Sequence, residues 1–418
     1  MQKKLLIAFF LITTIISRGN YILIPMDETQ TNHLKAYGIT YWTLSKGLTA
    51  DWLLNYRGGS FSIPYTKELE KECLIRNVGY EVVPDARMSK IFDEIALPEV
   101  NMDAIRLEKA PKVAVYSPKT KMPWDDAVTL VLTYAEIPYT VIYDEEILND
   151  ELNLYDWLHL HHEDFTGQYG KFYASYHNAE WYVKDQQESE IRAKKLGFYK
   201  VSQEKLAVSK KVRDFVMGGG FMFAMCSATD SYDIALAAEG TDICHQVFDG
   251  DPMAPDCQDK LDFNQCFAFE NFTLSQNPYE YEFANIDVPQ NRPVAEKQDI
   301  FTLFEFSAKW DQVPAMLTQN HLRVLPGFMG QTTAFRKATI KKDVLIMGEY
   351  KVLDEARYIH GEYGKGTWTF YGGHDPEDYR HLVGDPPTDL NLHPNSPGYR
   401  LILNNILFPA AKKKEKKT

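Results

Sequence analysis

Between residues 112 and 226, short apolar runs alternate with stretches of helical period, and this alternation limits the fold more than any other feature of the chain. Residues 113–116 (VAVY), 139–143, 156–161 and 221–225 (FMFAM) each have the length and apolar content of a buried strand. Residues 125–135 set Ala127, Val128, Val131, Leu132 and Ala135 on one helical stripe behind a capping Asp125. Residues 202–216 form a second helix, opened by Ser202 and stopped by Gly218-Gly219-Gly220. Parallel strands need such crossovers, so the spacing predicts an α/β domain, a mainly parallel sheet with helices on both faces. In an open sheet of that kind, ligands bind beyond the carboxyl ends of the strands. Three reactive groups fall there: His161-His162-Glu163-Asp164, Cys226, and His374-Asp375-Pro376-Glu377, the last after a strand expected over residues 367–371.

The rest of the chain is arranged around that core. Residues 20–110 read as an N-terminal α/β region, with strands over 38–44, 52–56 and 80–83 and a helix over 66–76, packed on the main domain. Arg57-Gly58-Gly59-Ser60 is a turn. Residues 111–409 form the main domain. Within it residues 227–335 are a long, less regular insertion, rich in Asp, Pro, Asn and Gln, that carries Cys244, Cys257 and Cys266. Strands return over 344–347 and 367–371, Gly364-Lys365-Gly366 makes a tight turn, and residues 399–407 close the domain as a helix.

The ends bear on location. Two lysines precede about twelve mostly apolar residues, 5–16, and Ser17-Arg18-Gly19 offers small residues for cleavage. A spanning helix needs roughly 20 apolar residues, so residues 1–19 are expected to be a signal peptide and the protein exported, periplasmic or secreted. Contact with a membrane would come only through an uncleaved N-terminal segment. Residues 410–418 are a short basic tail. The net charge of −13 argues against a nucleic-acid partner, which needs a cationic face. In an oxidising compartment five cysteines leave at least one thiol unpaired. A disulfide within the Cys244, Cys257, Cys266 trio, with Cys73 joined to its third member, would leave Cys226 free.

Gly218-Gly219-Gly220, followed by a strand ending in Ala224-Met225-Cys226-Ser227-Ala228, resembles the nucleophile elbow of class I glutamine amidotransferase-like proteins. The run from Gly364-Lys365-Gly366-Thr367 to Gly373-His374 is similar to the hairpin that delivers that family's histidine. The resemblance spans residues 112–408 and implies a flavodoxin-like fold. It also implies a thiolate nucleophile at Cys226, a proton carrier at His374, and a carboxylate at Asp375 or Glu377 to orient the imidazole. Alanines 224 and 228 stand where the family usually has glycine, and Glu377 lies three residues after His374 rather than two. Residues 161–164 occupy the place of the family's glycine-rich oxyanion loop. Separately, residues 21–37 (YILIPMDETQTNHLKAY) and 53–61 (LLNYRGGSF) resemble exported proteins of Bacteroidota commonly labelled asparagine synthetase B. The activity in that label is not expected. Residue 2 is Gln rather than a nucleophilic cysteine, and the chain has no SGGxDS pyrophosphate loop.

Two departures on catalytic elements favour a ligand- or partner-binding module over an enzyme. The ligand would be a small molecule or an extracytoplasmic polymer, with His161, His162, Glu163 and Asp164 as binding residues. The alternative is a cysteine-dependent amide or ester hydrolase using Cys226 and His374. A metal-dependent hydrolase centred on residues 161–164 is a further option. No metal and no cofactor is assigned: Ser117-Pro118-Lys119 follows the first regular strand, where a dinucleotide fold would carry glycines.

Overall fold

A computed structural model describes residues 21–118, 126–289 and 291–411. The expected signal segment, Asp125 and residues 412–418 of the basic tail lie outside the described residues.

The N-terminal region builds a sheet of its own from β1 (Tyr21–Ile24), β2 (Ala50–Leu54), β3 (Ser60–Pro64), β4 (Glu81–Val83) and β5 (Asp103–Leu107). Its order is β4-β1-β3-β2-β5, and every neighbouring pair is antiparallel. Residues 38–44, expected as a strand from their Ile, Tyr, Trp and Thr, lie inside the helix His33–Ser45. Asn32 caps that helix by accepting from the Lys35 amide at 2.9 Å. Burial of most of its side chains overrides the strand propensity of its residues. Gly38 is needed there, because a Cβ at this position would sit 1.9 Å from the Ala135 carbonyl oxygen of the facing helix Ala127–Tyr134.

Among the described residues the larger sheet has ten strands. The first four are β6 (Val113–Tyr116), β7 (Thr140–Ile142), β8 (Trp157–Leu160) and β9 (Phe221–Met225). They are followed by β10 (Ile300–Leu303), β11 (Val324–Pro326), β12 (Phe335–Arg336), β13 (Leu345–Tyr350), β14 (Glu355–Tyr363) and β15 (Gly366–Tyr371). The order is β11-β10-β13-β14-β15-β9-β8-β6-β7, with β12 on β14. Only β7, β6, β8, β9 and β15 run parallel. The remaining five strands join antiparallel. A mainly parallel, flavodoxin-like, class I glutamine amidotransferase-like sheet is therefore not what this chain forms. The sheet is mixed, beside a second sheet that is wholly antiparallel.

The reason lies in the connections. The tight turn at Gly364 and Lys365 reverses β14 onto β15, β13 pairs with β14 across a short link, and β12, which precedes β13, pairs with the start of β14. The segment read as an irregular insertion supplies β10 and β11, which extend the antiparallel half to its edge. Asp126 caps the helix Ala127–Tyr134, accepting from Val128 and Thr129 amides at 2.7 and 3.1 Å.

One hydrophobic cluster runs from the N-terminal sheet (Ile22, Trp52, Phe61) through Val113, Phe223 and Met225 to the closing helix Pro397–Leu407. The two sheets thus share a core, and β5 is tied to the C-terminal end by the Glu108 amide donating to the Ala410 carbonyl at 2.9 Å. All five cysteines are buried and none is in a disulfide. Cys244 donates to the Thr166 carbonyl at 3.1 Å and Cys266 to that of Asp233 at 3.3 Å, so the expected pairing within the trio is not formed. Among the described residues no helix is long and apolar enough to cross a membrane.

Candidate functional site

The carboxyl ends of β8, β9 and β15 meet at one place. β9 stops at Met225, and Cys226 follows with φ +51° before the helix Ala228–Ala237 begins. A left-handed backbone at a side chain with Cβ costs about 1–2 kcal/mol. It is held by the Cys226 amide donating to the Gly373 carbonyl at 3.2 Å and the Ala228 amide donating to the His161 carbonyl at 2.9 Å. The turn thereby binds the ends of β15 and β8 together. After β15, Gly373 has φ +101°, and a Cβ there would strike the Phe328 ring at 2.4 Å. This glycine lets the chain turn so that the His374 side chain points back over the strand ends.

Here a cavity of about 330 Å³ opens, lined among others by His162, Lys171, Cys226, Gln331, His374 and His381. The Cys226 sulfur accepts from the Gln331 amide at 3.4 Å. Burial pushes the thiol up to about 11, against the pull of the nearby backbone amides of Gln331, Ser227 and Thr332. The sulfur is therefore a neutral thiol at ordinary pH.

The His374 ring is not oriented by Asp375 or Glu377. Its Nδ1 lies 3.0 Å from His161 Nε2. Asp375 accepts from the Glu377 amide at 2.9 Å and the Thr388 hydroxyl at 2.7 Å. Glu377 pairs with His393 Nδ1 at 2.9 Å. Both carboxylates that the resemblance offered as orienting groups are thus engaged with other side chains.

The structure brings His161, His162 and His374 together. Their ring centroids are 5.2 Å apart for His161 and His162, 4.6 Å for His161 and His374, and 6.1 Å for His162 and His374. One nitrogen from each falls within a sphere of contact no wider than 4.8 Å between any two. Behind them, His161 Nδ1 lies 3.5 Å from Asp126 Oδ1, and His159 Nε2 lies 3.2 Å from the same carboxylate. Burial opposes ionisation of Asp126, but the histidines around it and the His159 hydrogen bond hold its carboxyl well below the usual range. Burial pulls His161 down to about 4 despite Asp126, and pulls His162 and His374 well below the ordinary imidazole range. At neutral pH all three rings are uncharged, the state in which imidazole ligates a metal. On the cavity side, His381 stacks on His374 at 4.9 Å and pairs with Asp378 at 2.8 Å.

Asp164 turns away from the three rings, whereas Glu163 Oε1 stays 3.8 Å from His162 Nε2. Asp164 accepts from the amides of Thr166 and Gly170 at 2.6 and 3.0 Å and closes its own loop. Glu163 lines a separate, smaller hollow with Tyr143, Asp185 and Lys205, where burial pushes its carboxyl up to about 8. Lys171 sits at the cavity wall with its ammonium donating to the carbonyls of Ser275 and Asn277, each at 3.0 Å. Burial pulls that ammonium down to about 8.

Sequence reasoning missed Asp126, His159 and His381. His159 and His161 are two apart on one strand, so they share a face, and that spacing was the available signal. Asp126 was masked by its acidic neighbour. Nothing local marks His381, which reaches the site from a loop.

Neither a family model nor a curated protein matches the chain. Among solved structures it is similar to a cytoplasmic protein of Salmonella typhimurium, STM3548, at 11% identity and a TM-score of 0.35, covering 72% of this chain and 100% of that one. A second cytoplasmic protein of Salmonella typhimurium LT2, STM1381, matches at 10% identity and a TM-score of 0.35 over the same shares. Gan42B, a GH42 beta-galactosidase of G. stearothermophilus, matches at 12% identity and a TM-score of 0.26, over 64% of this chain and 28% of that one. Likenesses at this level assign neither a fold nor a function.

Proposed function

We propose that this protein is an exported binding module that receives a small molecule in the cavity over the ends of β8, β9 and β15, without thiol chemistry. The observation that carries the reading is the engagement of Asp375 with Thr388 and of Glu377 with His393, which leaves His374 facing His161 instead of an orienting carboxylate. A buried thiol near pKa 11 is a poor nucleophile at neutral pH, because the thiolate is the reactive form. The cavity itself suits recognition. Phe172, Tyr279 and Tyr281 give it ring faces, while Arg380 and Lys171 give it cationic character, a combination that fits a small anion carrying a flat or apolar part. Export rests on the basic and apolar pattern of residues 1–19.

The test is a ligand screen by thermal shift with small carboxylates and phosphates, run on the wild type and on Cys226→Ala. Binding that survives Cys226→Ala and weakens in Arg380→Ala supports the reading. An amide- or ester-cleaving activity that vanishes in Cys226→Ala removes it. That outcome would establish the second reading, a Cys226–His374 hydrolase, which the left-handed backbone of Cys226 and the cavity it shares with His374 favour. Sequencing the N-terminus of protein recovered from the cell envelope tests export, and an intact Met1 in a cytosolic fraction would refute it.

A further inference from the structure

We propose that His161, His162 and His374 bind one zinc ion whose open coordination position faces the cavity. The inference rests on reading that cavity as a ligand site, and it adds the group that would grip the ligand.

The donor set has the right chemistry and spacing. In a tetrahedral site with Zn–N distances near 2.0–2.1 Å, two ligating nitrogens stand about 3.3 Å apart. His161 Nε2 and His374 Nδ1 are already 3.0 Å apart, edge to face, with His162 alongside. An ion between them asks for a shift of a few tenths of an ångström in these two rings. A hydrogen bond between two imidazoles would account for that pair alone. It gives no reason for a third ring whose nitrogen lies within 4.8 Å of both others.

A metal-bound histidine usually gives its other ring nitrogen to a carboxylate or carbonyl, which fixes the tautomer and the ring orientation. His161 Nδ1 faces Asp126 Oδ1 at 3.5 Å without a hydrogen bond as it stands, and a shift of a few tenths of an ångström would complete that arrangement. Asp126 Oδ1 is engaged as a helix cap by two backbone amides, which disfavours it as a ligand although it lies within ligating range of His159 and His161. Asp126 is a positioning residue for the ion, not a ligand.

The number of donors decides what kind of site this is. Structural zinc sites are closed by four protein ligands, commonly with cysteine, whereas sites that act on a ligand keep three and leave one position open. Three histidines converge here, and the cavity reaches two of them, His162 and His374. The open position therefore points to where an incoming ligand sits. A small carboxylate or phosphate would coordinate the ion through an oxygen, with the cationic and aromatic wall of the cavity around its remainder.

The experiment uses the full chain without a histidine tag, stripped with a chelator and titrated with zinc sulfate against a chromophoric competitor, with metal content read by mass spectrometry. One zinc per chain is expected. His161→Ala, His162→Ala and His374→Ala should each weaken binding at least 100-fold, and Asp126→Asn about 10- to 100-fold. His393→Ala, outside the cluster, should change nothing. Cobalt loading should give visible bands of a four- or five-coordinate ion that shift when acetate or phosphate is added. Circular dichroism checks that each variant is folded. If an alanine variant unfolds, Asp126→Asn and the cobalt spectrum carry the test. A wild-type chain that retains no zinc, or affinities unchanged in the histidine variants, overturns the proposal. A chain that holds a cavity ligand equally well with and without zinc, and retains no zinc, defeats the metal inference but not the cavity reading. A chain that holds zinc but takes no ligand defeats only the cavity reading.

Discussion

Two groups of buried histidines stand in this molecule, and they are built differently. His33 and His321 stack face to face at 4.2 Å between the N-terminal sheet and the closing helix. Both nitrogens of His33 are used, Nδ1 with Asn395 Oδ1 at 2.9 Å and Nε2 with the Met26 carbonyl at 3.0 Å. Arg400 approaches His321 Nδ1 at 3.3 Å and donates to the Met26 carbonyl at 2.9 Å, to the Gly58 carbonyl and to the Tyr37 hydroxyl. Both His33 nitrogens are thus used within a polar network, while His321, half-buried, also borders a separate hollow. His161, His162 and His374 point nitrogens at one another and at a cavity, with a carboxylate behind. Burial alone is common to both groups, so burial does not mark a functional histidine. What separates them is where the remaining lone pairs point.

The stacked pair should break first and hardest on stability. Arg400→Met removes the donor that serves two buried carbonyls and a buried hydroxyl, and the loss should be about 3–5 kcal/mol, as for breaking a buried charged network. Urea unfolding followed by tryptophan fluorescence measures it. Zinc affinity in the same variant should stay within about twofold of wild type. A variant that unfolds normally yet loses zinc would mean that the two groups are coupled and the contrast is false.

The next effect is on pH. Burial, then the Arg400 charge, hold His33 down to about 4, against 6.5 for an exposed imidazole. Between those values the unfolded chain takes up a proton that the folded chain refuses. Stability from this group is full above pH 6.5 and falls as pH drops through 6.5 toward 4. The fall should approach about 3 kcal/mol across that window. Urea midpoints at pH 7 and 4.5 measure it, and His33→Gln should lower the difference by the His33 share, leaving that of the other histidines held neutral by burial. A profile that is unchanged in His33→Gln would show that His33 is not held neutral.

How much of this was legible beforehand depended on whether the signal was local. The strands β6, β8 and β9 and the helix after Asp126 announce themselves by apolar period, so their existence and rough bounds could be foreseen. The direction of β10, β11 and β13 could not, because hairpin pairing across a long insertion depends on contacts far apart in sequence. Residues 38–44 misled for a related reason: Tyr, Ile, Trp and Thr favour strands, yet their burial between sheet and helix, with Gly38 against Ala135, decides otherwise. At the site, Cys226 and His374 could be placed at strand ends from turn chemistry, and His161 and His162 likewise. Their convergence, the diversion of Asp375 and Glu377 to Thr388 and His393, and the arrival of His381 are products of loop packing and leave no trace in local sequence.

A smaller change should follow from His162→Ala. His162 borders the cavity, so its removal enlarges an opening that is already there instead of leaving a closed void. Stability should change by less than about 1 kcal/mol, well below the cost of a sealed core cavity. The same substitution should abolish tight zinc binding. Measuring both on one sample separates a ring placed for packing from one placed for a ligand. A loss of stability equal to that of Arg400→Met would move His162 into the same class as His33.

The smallest expected effect is on the thiols, and it bears on whether Cys226 is special at all. Cys73 lies in the helix Lys67–Ile75, far from any strand-end turn, and burial pushes its thiol up to about 12. Cys226 lies in a strained turn with three backbone amides near its sulfur, yet it too is pushed up, to about 11. At pH 7.5 a thiol near 11 is ionised on the order of one part in a few thousand, against about one in ten for an exposed cysteine. Iodoacetamide should therefore label both residues slowly in the folded chain and at a common rate once it is unfolded, as peptide mass spectrometry will report. The cavity gives the reagent a path to Cys226, so any difference between the two sites measures activation by the turn rather than access alone when it persists at pH 9. Fast labelling of Cys226 at neutral pH, with Cys73 inert, would mean that the backbone amides outweigh burial. The cysteine hydrolase reading would then overtake the binding reading.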